Sequence, residues 1–268
     1  MAFERALPET LSSRDPVVFA RGDEIAEVWL NRPERLNATT ETMVHMFNDA
    51  LDEVEKRPPR ALLVAGVGRA FCAGRDLSEA NPEGEDAEGI LAELYNPLLL
   101  RLATLETITV AAAHGAVLGT GLGLALSCDL VITSTTSRWG SPFGRIGAVL
   151  DSGGHYFFSN LGIARAFGLI LLGELLDGRG AFEQGLVSRV VDDVEFDEEV
   201  SRWVSRVAQG PTQAFLASKR ILNEARVPAL TKILSMEAKE QGLCATTGDY
   251  RSGIRAFAAH QNPLFTGR

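Results

Sequence analysis

Gly115-Ala116-Val117-Leu118-Gly119-Thr120-Gly121-Leu122-Gly123 follows the apolar run Ile108 to Ala113 and leads into Leu124 to Ser127. A strand that ends in close-set glycines and passes straight into a helix leaves the first helical N–H groups without intrahelical partners, aimed at whatever negative charge lies ahead. A second stretch, Ala70-Phe71-Cys72-Ala73-Gly74-Arg75-Asp76-Leu77, follows the apolar run Ala61 to Val67 and is expected to open a helix in the same way. Two such turns aimed at one point would form an oxyanion hole, suited to reaction beside a thioester or ester carbonyl whose oxygen gains charge in the transition state. A dinucleotide reading of the glycines fails, because G-x-G-x-x-G needs glycine where the chain has Leu124.

Outward from these turns the pattern alternates. Glu24 to Leu30 reads as a strand stopped by Asn31-Arg32-Pro33, and Thr39 to Lys56 as a helix with hydroxyl caps and apolar residues at helical spacing. Asn81 to Glu88 is acidic and turn-rich, which predicts a mobile surface loop, and the Pro82 to Tyr95 stretch is expected to shape the pocket. A helix from about Ile90 to Thr104, strands at Ile108 to Ala113 and Leu130 to Thr133, and a helix through Ser127 complete an α/β alternation. Beyond Asp151 the chain reads mostly as helix: Ser152 to Leu161, Ile163 to Leu172 and Asp197 to Gln209, with a short strand at Leu186 to Val191. Gly210-Pro211 breaks the last of these. Thr212 to His260 reads as further helices whose Lys219, Arg220, Lys232, Lys239, Arg251 and Arg255 form a solvated face or a subunit contact.

The 268 residues, 46% of them hydrophobic, suffice for one large core with a small appended subdomain. A net charge of -9 argues against nucleic acid as a partner. Three cysteines without metal-ligand or disulfide spacing fit a reducing, cytoplasmic setting. Met1 to Arg14 lacks the pattern of a secretory signal, and no unbroken apolar run is long enough to span a membrane.

Four stretches together, Asn31-Arg32-Pro33-Glu34-Arg35-Leu36-Asn37-Ala38, the two glycine turns, and Ala181-Phe182-Glu183-Gln184-Gly185-Leu186-Val187, resemble the crotonase, or enoyl-CoA hydratase/isomerase, superfamily. The ending from Gly253 to Arg268 resembles it too. The resemblance implies an α/β spiral of ββα units over residues 1–209, and a helical subdomain over 210–268 that covers the coenzyme A site and makes oligomer contacts. It further implies homotrimers or dimers of trimers, acyl-CoA substrates, and no metal or redox cofactor. It assigns the oxyanion N–H groups to Arg75 and Thr120, and the coenzyme A contacts to Arg32, Arg35, Ala73, Asp76, Leu77 and Phe257. The lysine often found three positions after that aromatic is His260 here.

Hydratases of the family hold water between two glutamates, whose positions fall on Gly123 and Phe143 in this chain. Neither side chain moves a proton. Asp151 is the replacement candidate, resembling the acid of the ring 1,2-epoxyphenylacetyl-CoA isomerases, and one carboxylate suffices to carry a proton from C2 to C4. Among Trp139, Phe143, Val149 and Leu150 it should be dry and its pKa raised. Just ahead of Gly153-Gly154, Asp151 equally suits a helix cap. Hydration, thioester hydrolysis or aryl dehalogenation on the same scaffold, and acyl-CoA binding without catalysis, are the alternatives. His114 and Cys72 read as packing residues and Asp129 as serving the backbone, while His155 and Tyr156 suit either pocket lining or helix-face packing.

Overall fold

The computed structural model describes Arg5, Pro8, Leu11, residues 13–81 and residues 83–268. Pro82, at the start of the stretch expected to shape the pocket, lies outside the described residues, as does most of Met1 to Arg14. The chain opens with strands β1 (Val17–Arg21) and β2 (Ile25–Leu30), helix α1 (Glu41–Lys56) and strand β3 (Ala61–Gly66). Helices α2 (Ala87–Ile90) and α3 (Asn96–Thr104) follow, joined by a π-helical turn, and then strands β4 (Ile108–Ala113) and β5 (Ala116–Leu118) and helix α4 (Thr120–Ser127). Strands β6 (Leu130–Ser134) and β7 (Arg138–Gly140) precede helices α5 (Gly154–Ser159) and α6 (Ile163–Leu172). Strand β8 (Leu176–Asp177), helix α7 (Gly178–Glu183) and strand β9 (Arg189–Val191) lead to α8 (Phe196–Gln209), α9 (Thr212–Ala245) and α10 (Gly248–Ala258).

Six strands form one sheet in the order β1-β2-β3-β4-β6-β9, parallel throughout except for the β1–β2 hairpin. Parallel pairing requires a crossover between neighbours, and α1, α3 and α4 supply three of them. A second, small sheet has the order β5-β7-β8, and a parallel bridge from Cys72 to Val117 extends it. The circuits that start at β3, β4 and β6 therefore each place one strand in the large sheet, a short extended piece in the small sheet or bridged to it, and then a helix. That is the ββα spiral.

Strands β3 and β4 are buried on both faces because helices cover both. Leu62 and Val64 join Met43, Phe47, Leu98 and Leu102 in one core. Leu63, Ala65 and Val110 meet Phe196, Val200 and Val204 of α8 in the other.

Three expectations need correction. The first turn opens only a short 3₁₀ turn, Leu77–Glu79, because Asp76 folds back to cap it through Ser78 and a loop follows. The acidic segment, expected as a mobile surface loop, is tied down by ion pairs: the buried Glu85 side chain pairs with Arg75, and Glu83 pairs with Arg255 of α10. The basic face of the last helices is not wholly solvated either, since Lys219 is buried and ion-paired to Asp129 at 2.8 Å.

Candidate active site

The two turns meet because backbone ladders tie them together. The Cys72 amide donates to Ala116, and the Leu118 amide returns a bond to Cys72, both at 3.0 Å. Gly74, at φ +101°, lies so close that a methyl group there would stand 3.1 Å from the Leu118 carbonyl and 3.7 Å from Gly119. The bonds that stitch the turns to their surroundings are donated by Phe71, Cys72, Ala73, Asp76, Leu118 and Gly119. The Arg75 and Thr120 amides donate none of these.

Asn37, fully buried with a left-handed backbone, braces the first turn: its amide group donates to Val67 and Ala70 at 2.8 Å each, and its oxygen accepts from Arg32 N–H. Arg32 in turn reaches the Ala38 carbonyl and the Asp76 carboxylate at 3.0 Å. Burial alone would raise the Asp76 pKa, but bonds from Ser78 and Arg32 outweigh it and hold the carboxyl below the usual range. The Asp76 amide is spent on Thr39.

A cavity of about 470 Å³ opens beside the paired turns. Ala73, Arg75, Leu77 and Phe257, four of the residues singled out in the sequence, line it together with Gly119 and Phe143. Arg32, Asp76, Asp151 and Thr120 stand outside that lining, Thr120 directly following a residue that belongs to it. Arg35 is exposed on the surface. Arg75 donates two bonds to Glu85, at 2.8 and 2.7 Å, and Tyr250 of α10 donates to the same carboxylate at 3.1 Å. Burial works against the guanidinium charge, but Glu85 more than compensates, so Arg75 stays firmly cationic.

Asp151 is 7% exposed and its pKa is pushed up to about 7, mainly by burial and further by the Glu237 charge, against the Ser152 hydroxyl, Arg75 and His155. It accepts one side-chain bond, from Ser152 Oγ at 2.8 Å. It is not the cap of α5. The Gly153 and His155 amides donate instead to Glu237 of α9, at 2.7 and 2.9 Å. The capping reading of Asp151 is thereby replaced. Glu237, Glu85 and Tyr250 were not singled out in the sequence.

At the first glutamate position there is no room for a side chain. A methyl group on Gly123 would stand 2.5 Å from the Ser152 carbonyl oxygen, so the Asp151-Ser152 turn occupies the space a second carboxylate would need. At the second position, the Phe143 ring packs within 3.4 Å of where a Gly119 methyl would sit.

The remaining readings resolve by partner. His114 is buried, bonded to the Gly68 carbonyl at 2.8 Å, and burial lowers its pKa to about 4. Cys72 is buried and its thiol is pushed up to about 12. Asp129 accepts the Thr109 amide at 2.8 Å, so it does serve the backbone. His155 bonds Glu237 through Nδ1 at 2.8 Å, and Tyr156 packs against the main core. Among the described residues no helix is long and apolar enough to cross a membrane.

Fold and site together define a crotonase-type α/β enzyme. The chain belongs to the enoyl-CoA hydratase/isomerase family, whose model matches residues 20–268 and whose members act on acyl-CoA thioesters. It is 36% identical over 245 residues to a Rhodobacter capsulatus protein named "Probable enoyl-CoA hydratase", covering 91% of this chain and 95% of that one. It is 37% identical over 245 residues to 1,2-epoxyphenylacetyl-CoA isomerase of Escherichia coli, covering 89% and 94%. An enoyl-CoA hydratase crystal structure from Mycobacterium avium subsp. paratuberculosis superposes with a TM-score of 0.85 at 29% identity, covering 94% of this chain and 99% of that one.

Proposed function

We propose that the chain is an acyl-CoA isomerase that moves a proton beside the thioester, shifting a 3-enoyl-CoA double bond to C2 or isomerising a ring 1,2-epoxyphenylacetyl-CoA. The thioester oxygen accepts the Arg75 and Thr120 amides as the enolate forms, each amide contributing about 2.7–4 kcal/mol to transition-state stabilisation. Asp151, as carboxylate, takes the proton from C2 and returns it at C4 as the double bond migrates, ending ionised as it began. Arg32, Arg35, Ala73, Asp76, Leu77 and Phe257 make the coenzyme A contacts, with Arg32 acting through its Asp76 pair and Arg35 as a surface charge for phosphate. The enzyme works in the cytoplasm as a trimer or dimer of trimers, without a metal or redox cofactor. Residues 210–268 form the helical subdomain that covers the coenzyme A site.

One observation carries this reading: Asp151 is a buried carboxylate relieved of capping duty, beside a Gly123 packed too tightly for a second acid. The isomerase relative in Escherichia coli supports it. The hydratase names among the relatives favour water addition instead, but Gly123 and Phe143 supply no group to position and protonate across a double bond. The test is product analysis in heavy water with 3-enoyl-CoA and 2-enoyl-CoA. Wild type migrates the double bond with little hydration, and Asp151→Asn loses migration by about 10²- to 10⁴-fold. Full activity in Asp151→Asn rejects Asp151 as the base, and equal hydration by both proteins favours the hydratase.

A further inference from the structure

The segment that carries Asp151 is held from outside by two buried polar side chains one helical turn apart on α9. Gln241 Oε1 accepts the Val149 amide at 2.8 Å, two residues before Asp151. Glu237 accepts the Gly153 and His155 amides, two and four residues after it. Glu237 is 3% exposed and Gln241 6%. Burying a carboxylate and an amide costs free energy unless each finds donors, and on the apolar stripe of Leu230, Leu234 and Ala238 the donors found are this stretch's backbone amides and, for Glu237, the His155 ring at 2.8 Å as well.

We propose that Glu237 and Gln241 are positioning residues, a two-point clamp that fixes the Asp151 segment at both ends and keeps the Asp151 carboxylate free of the α5 amides. Glu237 does more than hold backbone, because its charge also bears on Asp151. The groups that face Asp151 are Glu237 from α9, His155 from α5, Arg75 from the first turn and Tyr250 from α10, with the Ser152 hydroxyl bonded directly. Glu237 opposes ionisation of Asp151, whereas Gln241 carries no charge. The two halves of the clamp therefore have separable signatures. Loss of either loosens the segment, and loss of Glu237 alone moves the pH at which Asp151 ionises. The catalytic consequence rests on the proposed isomerase reading; the titration does not.

The experiment compares Glu237→Gln and Gln241→Leu with wild type in two measurements. The first is a ¹³C NMR titration of aspartate-labelled protein, with the Asp151 resonance assigned by its loss in Asp151→Asn. Glu237→Gln removes a negative neighbour, so the Asp151 midpoint moves to lower pH, while Gln241→Leu leaves it in place. The second is double-bond migration, in which both variants lose about 10- to 100-fold in kcat with KM within about twofold of wild type, because the coenzyme A contacts are untouched. Glu237→Gln keeps one of the two acceptor oxygens that hold the Gly153 and His155 amides, and thermal unfolding of both variants separates loss of positioning from loss of fold. An unchanged midpoint in folded Glu237→Gln, or unchanged kcat in both variants, overturns the clamp. Full migration activity in Asp151→Asn overturns Asp151 as the base of the proposed isomerase while leaving the titration to decide the clamp.

Discussion

Asp129 and Asp151 are aspartates of the same chain with opposite surroundings. Asp129, between α4 and β6, gives one oxygen to the Thr109 amide, the Thr109 hydroxyl and the Lys219 ammonium at 2.8–3.0 Å. Asp151, ahead of α5, has one hydroxyl partner and a neighbouring carboxylate that opposes its charge. At Asp129 the protein has surrounded a charge with donors, and the charge holds structure together. At Asp151 the donors that the local geometry offers have been handed to Glu237, and the charge is left at odds with its site. A carboxylate kept dry and underbonded is a strong base once ionised. The difference separates a structural acid from a chemical one.

The comparison predicts opposite responses to mutation. Asp129→Ala strands the buried Lys219 ammonium and should destabilise the protein by about 3–5 kcal/mol, measured by urea unfolding. A loss under about 1 kcal/mol would remove Asp129 from the structural side of the comparison.

Asp151→Asn should stabilise the protein, and the gain should depend on pH. The folded-state pKa lies near 7 against 3.8 for the exposed group, so the folded state keeps a proton that the unfolded chain has released. Ionising Asp151 then costs stability progressively as pH rises through that window, and the full cost is present above pH 7. The variant should match wild type near pH 4 and exceed it by a few kcal/mol, as an order of magnitude, at pH 8. A pH-independent difference would contradict the raised Asp151 pKa.

The smallest effect is expected at Ser152, which holds a left-handed backbone at φ +60° and donates its hydroxyl to Asp151. Ser152→Gly relieves the backbone and removes the hydroxyl. The acid limb of the pH–rate profile should move upward, because the hydroxyl favours the ionised carboxyl. Movement downward would show that Ser152 acts otherwise than through that bond.

Much of this was legible in the sequence, and the failures share physical causes. Strands β3 and β4 stand out because they are apolar on both faces, and α1 because its capping threonine and buried stripe agree. Strand β1 was missed although Val17-Val18-Phe19 is β-branched and aromatic and Gly22-Asp23 marks the hairpin turn. The pieces of the small sheet, β5, β7 and β8, were also missed: two or three residues carry no periodicity, and only their pairing partners make them strands. Asp151, Arg75 and Thr120 were singled out from sequence, but Glu85 and Tyr250 meet Arg75 only through tertiary structure. Glu237 and Gln241 did carry a signal. They fall on the helical stripe of Leu230, Leu234 and Ala238, where a polar residue must have a buried partner.

The most direct test of Asp151 as the base uses a saturated acyl-CoA, which cannot isomerise or hydrate, and follows exchange of its C2 protons with solvent deuterium by NMR. The account predicts exchange by wild type, with a rate that rises through about pH 7, and loss of exchange in Asp151→Asn despite retained acyl-CoA binding. Exchange at the wild-type rate in Asp151→Asn would contradict it.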